Sequence, residues 1–116
     1  MQEYKKLKSV ILKNQNGFTC NFKGKIVSKT EGYFLSITNI KGKQIKPLIK
    51  KVISIKQKGF NENKNLLLGG WLDNNDKTFY LDLSLYLEEK GTALKIAKLF
   101  NQKAIFDIKN SSSVYI

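Results

Sequence analysis

Hydrophobic and polar positions in the second half of the chain follow periods that predict a dense run of elements. From residue 66, apolar side chains dominate two stretches, separated by Asn and Asp residues that tolerate the positive φ of a hairpin turn. Apolar positions then recur at helical spacing after Glu88 and Glu89, whose charges suit the positive end of a helix. The predicted order is strand, turn, strand, helix, strand and short strand, at residues 66–72, 73–77, 78–83, 88–101, 103–108 and 114–116.

The first half has weaker patterns, and two of its segments leave alternatives open. Residues 18–22 alternate with the period of a strand, and residues 33–37 are rich in β-favouring side chains. Apolar residues recur at helical spacing within residues 44–58, with a β-branched strand at 52–55 as the alternative. Residues 1–16 fit either a helix with one apolar face or a short strand.

These elements predict one α+β domain spanning residues 1–116, since single cores typically occupy about 100–150 residues. Its sheet is expected to be mainly antiparallel, with about five or six strands. Two helices, at residues 44–58 and 88–101, are expected to cover this sheet. Cys20, the single cysteine, is predicted to be a small buried hydrophobic residue in a strand.

The charge distribution divides the chain into two parts. The chain carries 21 lysines and 9 acidic residues, for a net charge of +12. Residues 1–60 hold 14 of the lysines with only Glu3 and Glu31, whereas residues 61–116 hold 7 lysines and 7 acids. A basic part beside a neutral one is expected of a protein with one surface for polyanions. The alternative is an AT-rich genome, which also favours lysine and would leave the basic part as a merely solvated surface.

Every basic residue is a lysine, which affects the kind of binding that is expected. Lysine contacts a phosphate as a point charge, whereas arginine forms the bidentate contacts that read guanine edges. Binding to a nucleic-acid backbone with little sequence readout is therefore predicted. The expected contacts come from the lysines in and around the helix at 44–58: Lys41, Lys43, Lys46, Lys50, Lys51, Lys56 and Lys58. The alternative is an ordinary surface helix with its apolar stripe on the core.

Catalytic and metal-binding chemistry has little support in the sequence. The absence of histidine and the single cysteine exclude the usual zinc sites and nucleophilic triads. The pair Gly69-Gly70 suggests a bulge or a close backbone approach, and it lacks the continuation of a phosphate-binding loop. We therefore predict a protein that is not an enzyme and that uses no cofactor or metal. The aspartates are expected at turn or solvent-facing positions rather than as a catalytic pair: Asp73, Asp76, Asp82 and Asp107.

Aromatic residues offer a second type of contact. Tyr33 and Phe34 on one predicted strand could stack bases together with Phe18 and Phe22 on a neighbour, although aromatics that alternate on strands more often belong to the core. Trp71 is predicted to be a core or interface anchor. A protein–protein module, or a homodimer built through Trp71 and its hairpin, is therefore the alternative to nucleic-acid binding.

The second half resembles a module found in small accessory proteins of bacteriophages and other mobile elements. The motifs that carry the resemblance are GGWLDNNDKTFYLDLSLYL and ALKIAKLFNQKAIFDI, and TEGYFLSI at residues 30–37 is similar to the group's upstream Gly-Tyr strand. The resemblance covers residues 17–109, and the lysine-loaded first half departs from the group, which is less basic. The family carries no function residue by residue, so the resemblance implies genomic context rather than chemistry.

Accessory proteins of this kind are commonly counter-defence or nucleic-acid-handling factors. The resemblance therefore implies RNA, DNA or a ribonucleoprotein defence complex as the partner, for example a CRISPR effector that an anti-CRISPR protein inhibits. The expected location is the cytoplasm of a bacterial host cell, since no apolar run approaches the ~18 residues of a membrane span. The N-terminal apolar stretch is also too short for a signal peptide.

Overall fold

A computed structural model of the chain describes residues 2–61, 63 and 65–116. Within this part of the chain, three helices and six strands follow one another. The helices are α1 at Gln2–Lys13, α2 at Ile45–Gly59 and α3 at Lys90–Leu99. The strands are β1 at Phe18–Cys20, β2 at Tyr33–Gly42, β3 at Leu66–Asp73, β4 at Thr78–Leu87, β5 at Ala104–Asp107 and β6 at Ser112–Tyr115.

The strands form one antiparallel sheet in the order β1-β3-β4-β2-β5-β6. The β3–β4 hairpin is central, and β2 pairs with β4 along most of its length, with a bulge between Ser36 and Thr38. β5 pairs with β6 on one side and, on the other, only with Tyr33 and Phe34 at the start of β2. Because β3 and β4 lie between β1 and β2, the chain must cross both of them to connect β1 to β2.

The three helices cover one face of the sheet. α1 and α2 pack under one end, where Leu68 of β3 and Leu81 of β4 join the apolar residues of both helices in one buried cluster. α3 lies under the other end against Leu83, and its fully buried Ala93 and Ala97 allow a close approach to the strands. No helix in the described part of the chain has the length and apolar character that crossing a membrane requires.

Alternate residues of β4 face opposite sides of the sheet, as the pleat of a strand requires. Leu81, Leu83 and Leu85 point to the helices and are at most 5% exposed. The residues that alternate with these leucines point to the side that α1, α2 and α3 leave uncovered, which we call the open face: Tyr80, Asp82, Ser84 and Tyr86.

The connection from β1 to β2 crosses the open face at one end. Its residues 28–32, the crossing segment, pass over Tyr86: Lys29 Nζ lies 4.3 Å from the centre of the ring, and the tyrosine hydroxyl donates a 2.8 Å hydrogen bond to the carbonyl oxygen of Glu31. Tyr86 and Leu67, which point to the open face, are both buried. The end of the open face nearer the β3–β4 turn stays exposed.

The predicted α+β fold class with a mainly antiparallel sheet is confirmed. The two predicted helices are present at Ile45–Gly59 and Lys90–Leu99, the second beginning two residues later than expected. The predicted number of helices was wrong, because the undecided N-terminal segment forms a third helix at Gln2–Lys13. Leu7 and Ile11 pack against α2 in the buried cluster, and this tertiary contact selects the helix where the local pattern also fits a strand.

Candidate nucleic-acid interface

The largest concentration of positive charge lies on the paired helices α1 and α2. Their apolar sides share one buried cluster, so their polar sides face away from the sheet. Glu3 is the only acidic residue in either helix. The exposed lysines of the pair form what we call the basic helical surface: Lys5, Lys6, Lys8, Lys13, Lys46, Lys50, Lys51 and Lys58. This arrangement concentrates positive charge on the side of the helices that faces away from the sheet.

Lys56 differs from the other lysines of α2. Its Nζ lies 2.7 Å from Glu3 Oε2, and the two side chains are only 15% and 28% exposed. The same ammonium lies 5.4 Å from the centre of the Phe22 ring. The ion pair joins the last turn of α2 to the first turn of α1, so the two helices run antiparallel. The predicted contact of Lys56 with nucleic acid stays a prediction, and its charge is already engaged with Glu3.

Lys41 and Lys43 lie away from the basic helical surface. Lys41 is exposed near the end of β2 and points to the open face, where it is paired in register with Tyr80. Lys43 donates a hydrogen bond to the carbonyl oxygen of Asp76 in the β3–β4 turn. The structure therefore brings Lys46, Lys50, Lys51 and Lys58 onto one helix surface and places Lys41 on the other side of the sheet.

A turn after β1 extends the basic helical surface. Gly24 has a φ of +81°, and a Cβ added there would lie 2.9 Å from Cβ of Lys6, so the turn packs directly against α1. Asn21 Oδ1 accepts hydrogen bonds from the backbone N–H groups of Lys23 and Lys25, which fixes the turn. Both of these lysines are exposed and add their charges beside those of α1.

A second candidate site is a concave area on the exposed end of the open face, which encloses a volume of about 670 Å³. The strand register places its side chains in two rows that run across the strands. The row nearer the hairpin turn, called the Trp71 row, contains Trp71, Tyr80 and Lys41. The next one, called the Asp82 row, contains Thr19, Gly69, Asp82 and Asn39. A volume of this size lies within the range of small-ligand sites.

Aromatic rings form one side of this concave area. The rings of Trp71 and Tyr80 are stacked, with centres 4.8 Å apart and planes 10° from parallel. Trp71 is 48% exposed, which excludes the predicted core role and leaves that of an interface anchor. A half-exposed indole held by a second ring is a preorganised surface for another planar group.

Asp82 is the charged group at the centre of the concave area. Its Oδ1 accepts a 3.1 Å hydrogen bond from Ser36 Oγ, and its Oδ2 accepts one of 3.1 Å from Ser84 Oγ. Burial raises the pKa of this carboxyl, and the two serine hydrogen bonds act in the opposite direction. The prediction of a solvent-facing position is correct for the side of the sheet, but the side chain is only partly exposed.

The predicted stacking platform of Tyr33, Phe34, Phe18 and Phe22 does not assemble on one surface. Phe18, Phe22 and Tyr33 pack against the two buried clusters, as the core alternative expected. Phe34 alone faces the open side, where its ring centre lies 6.0 Å from that of Tyr86 in an edge-on arrangement.

The other aspartates serve turns. Hydrogen bonds from Thr78 lower the pKa of Asp76, and those from Asn110 lower the pKa of Asp107. Across residues 2–61, 63 and 65–116, no group of three or more Cys, Asp or Glu side chains is placed to hold a metal ion.

Sequence reasoning missed the lysines of α1 and the composition of the Asp82 row. The apolar spacing of Leu7 and Ile11 was a usable signal for the helix that carries those lysines. No local signal could have placed Thr19 and Asn39 beside Asp82, because these residues come from three strands whose order depends on the whole fold.

Comparisons with known proteins found no match: no family model fits the chain, and no curated protein or solved structure is similar to it. The resemblance to mobile-element proteins therefore stays a prediction, and the choice of function depends on the geometry.

Proposed function

We propose that the protein is a non-enzymatic binding protein whose basic helical surface contacts the phosphate backbone of nucleic acid. The observation that carries this proposal is the α1–α2 pair, which exposes eight lysines and holds its only acid, Glu3, in an ion pair. Lysine ammonium groups neutralise phosphates and release their counterions, which gives affinity without sequence readout. The partner is RNA or DNA, free or within a ribonucleoprotein defence complex, the context that the mobile-element resemblance implies.

The test is the salt dependence of binding to a labelled RNA or DNA strand, measured by fluorescence anisotropy. If about four lysines contact phosphates, a tenfold rise in salt from about 50 mM weakens binding by roughly 10³-fold. Charge reversal at four exposed positions of α2 should abolish binding at low salt: Lys46→Glu, Lys50→Glu, Lys51→Glu and Lys58→Glu. Affinity that does not change with salt would contradict the proposal.

A charge-matched control separates a defined surface from general attraction to a basic protein. It carries the same charge change at exposed positions on and next to α3: Lys90→Glu, Lys95→Glu, Lys98→Glu and Lys103→Glu. We expect this control to keep most of the affinity, because its substitutions lie outside the basic helical surface. Equal losses in both variants would show that net charge alone drives binding.

The second candidate function is a protein–protein module or homodimer built on the β3–β4 hairpin. The exposure of Trp71 on the open face favours it, since half-exposed tryptophans are common interface anchors. In that case the lysine reversals on α2 leave partner binding or self-association unchanged. Light scattering over a range of protein concentrations, with and without Trp71→Ala, distinguishes this function from the first.

A further inference from the structure

Two neighbouring glycines of β3 differ in what the fold requires of them. A Cβ on Gly70 would lie 2.5 Å from the Tyr80 carbonyl oxygen and 2.7 Å from Leu81 Cδ2, so only glycine fits there. A Cβ on Gly69 would meet nothing closer than the Phe18 carbonyl oxygen at 3.5 Å, an ordinary contact, and its φ is not positive. Glycine inside a strand is destabilising and often marks a place where a ligand approaches the backbone. Gly69 therefore leaves the backbone of β3 uncovered by a side chain in the Asp82 row, and we call this uncovered backbone the floor of the site.

The Asp82 carboxylate beside this floor has unused hydrogen-bonding capacity. A carboxylate offers about four acceptor positions, and Ser36 and Ser84 occupy one on each oxygen. The serines therefore fix the carboxylate and leave one free position on each oxygen. Among the described residues, the one ion pair is Lys56–Glu3, so no described lysine is paired with Asp82. A partly buried carboxylate without a cation favours a ligand that supplies two parallel N–H donors.

The Trp71 row indicates two further features of the ligand, a flat ring and a negative charge. The exposed indole offers an apolar plane to a flat ring. Lys41, at the far end of the same row, offers a positive charge on the open face. The three groups together fit a planar ring that carries adjacent N–H donors on one edge and a phosphate outside the ring.

We propose that the concave area on the open face binds a guanine nucleotide, with the ring against Trp71, its two adjacent N–H donors on Asp82 and its phosphate near Lys41. Guanine presents a ring N–H beside an amino group, whereas adenine, cytosine and uracil each place an acceptor next to their donor, which a carboxylate repels. Lys41 disfavours a guanidinium group in the same site, because that ligand would bring a second cation next to it. The inference rests on the proposed function for nucleic acid as the ligand class, and adds base recognition to backbone contacts.

Trp71 is the only tryptophan, so its fluorescence reports directly on the site. The experiment titrates the full chain with GMP, AMP, CMP and UMP at moderate salt. We expect saturable quenching by GMP at concentrations about tenfold or more below those that the other nucleotides require. Asp82→Asn should remove this preference, since an amide presents a donor to one of the guanine donors. Gly69→Val should abolish quenching by all four nucleotides, because its side chain fills the floor of the site while its Cβ has room.

Controls keep this inference separate from the proposed function. The α2 charge-reversal variant should bind GMP as the native protein does, and Asp82→Asn should keep the salt-dependent binding of long RNA. Equal quenching by all four nucleotides, or none by GMP, overturns the guanine site, even if the lysines bind RNA. Stronger quenching by N-acetylarginine amide than by GMP assigns the site to a protein partner and also overturns it. A Trp71 fluorescence signal that changes with protein concentration in the absence of nucleotide indicates self-association and also overturns the guanine site.

Discussion

The two faces of the sheet are built from the same strands, but they differ in whether packing explains their residues. On the covered face, Leu81, Leu83 and Leu85 of β4 are buried against helices, and the removal of apolar surface from water accounts for each of them. On the open face, the alternate residues include a partly buried carboxylate and the half-exposed Trp71 stacked on Tyr80, which burial does not explain. The difference shows that packing accounts for the residues of the covered face and leaves those at the exposed end of the open face unexplained, which is why a binding site is proposed there.

The contrast is sharpest between Gly69 and Gly70, which are adjacent in sequence and point to opposite faces. Gly70 faces the core side, where Leu81 and a backbone oxygen fill the space that a side chain would need. Gly69 faces the open side and has no such neighbour. Packing therefore requires one of the two glycines, whereas the fold leaves room for a side chain at the other.

The largest effect is expected on the covered face. Leu83→Ala should lower the free energy of unfolding by about 2–5 kcal/mol, because Leu83 is fully buried between the sheet and α3. Urea unfolding followed by circular dichroism measures the change. The matched control is its neighbour on the other face, Ser84→Ala, which removes a hydrogen bond to the Asp82 carboxylate and should cost about 1.5 kcal/mol, the lower end for a bond to a charged group, because this carboxylate is only partly buried. A larger loss for Ser84→Ala would reverse the comparison of the two faces.

An intermediate effect is expected for the glycine pair. Gly70→Ala should cost about 1–3 kcal/mol, because the new methyl group must displace β4 backbone or Leu81. Gly69→Ala should be neutral or gain up to about 1 kcal/mol, because alanine restricts the unfolded chain more than glycine does. Thermal and urea unfolding of both variants measure the two changes. Similar losses at both positions would show that Gly69 is also needed for packing.

The smallest effect concerns Asp82 and depends on pH. Because burial raises its pKa in the folded protein, the charged form costs stability at neutral pH, and this cost disappears as the carboxyl takes up its proton. Asp82→Asn should therefore be more stable than the native chain at pH about 7, by about 1 kcal/mol or less, and equal to it near pH 3. Urea unfolding over this pH range measures the difference.

Asp107→Asn provides the control of opposite sign. Hydrogen bonds from Asn110 lower the pKa of Asp107, so its charged form stabilises the fold above its unfolded pKa, and this stabilisation is lost as pH falls. The asparagine variant should be the less stable protein at neutral pH. If Asp82→Asn also destabilises the fold at neutral pH, the carboxylate contributes to stability rather than to an open site.

Local sequence patterns predicted those helices and strands whose signals lie close together in the sequence. The β3–β4 hairpin and α3 follow directly from alternation, turn residues and helical spacing between residues 66 and 101. The same patterns could not decide α1, because its apolar residues fit a helix or a strand until α2 lies against them. With α1 undecided, its lysines could not be assigned to the surface that Lys46 and Lys50 belong to.

The open-face site could be predicted only in part. The sequence pattern assigns both Asp82 and Trp71 to the hairpin, and alternation places Asp82 on the face opposite Leu81 and Leu83. Their neighbours Thr19 and Asn39 come from strands far away in sequence, and the bulge in β2 sets which of its residues face the open side. Register across non-consecutive strands is a property of the assembled sheet and leaves no trace in any single segment.

Cys20 makes it possible to measure how often the β1 edge of the sheet opens. Its side chain is fully buried in β1, and burial raises the pKa of the thiol to about 12, so the thiolate that reacts with labelling reagents is almost absent from the folded state. Modification of this single thiol therefore requires an opening event. If labelling is faster than global unfolding, the three-residue strand β1 separates from β3 without the rest of the sheet unfolding. The labelling rate then measures how often the sheet opens beside Gly69.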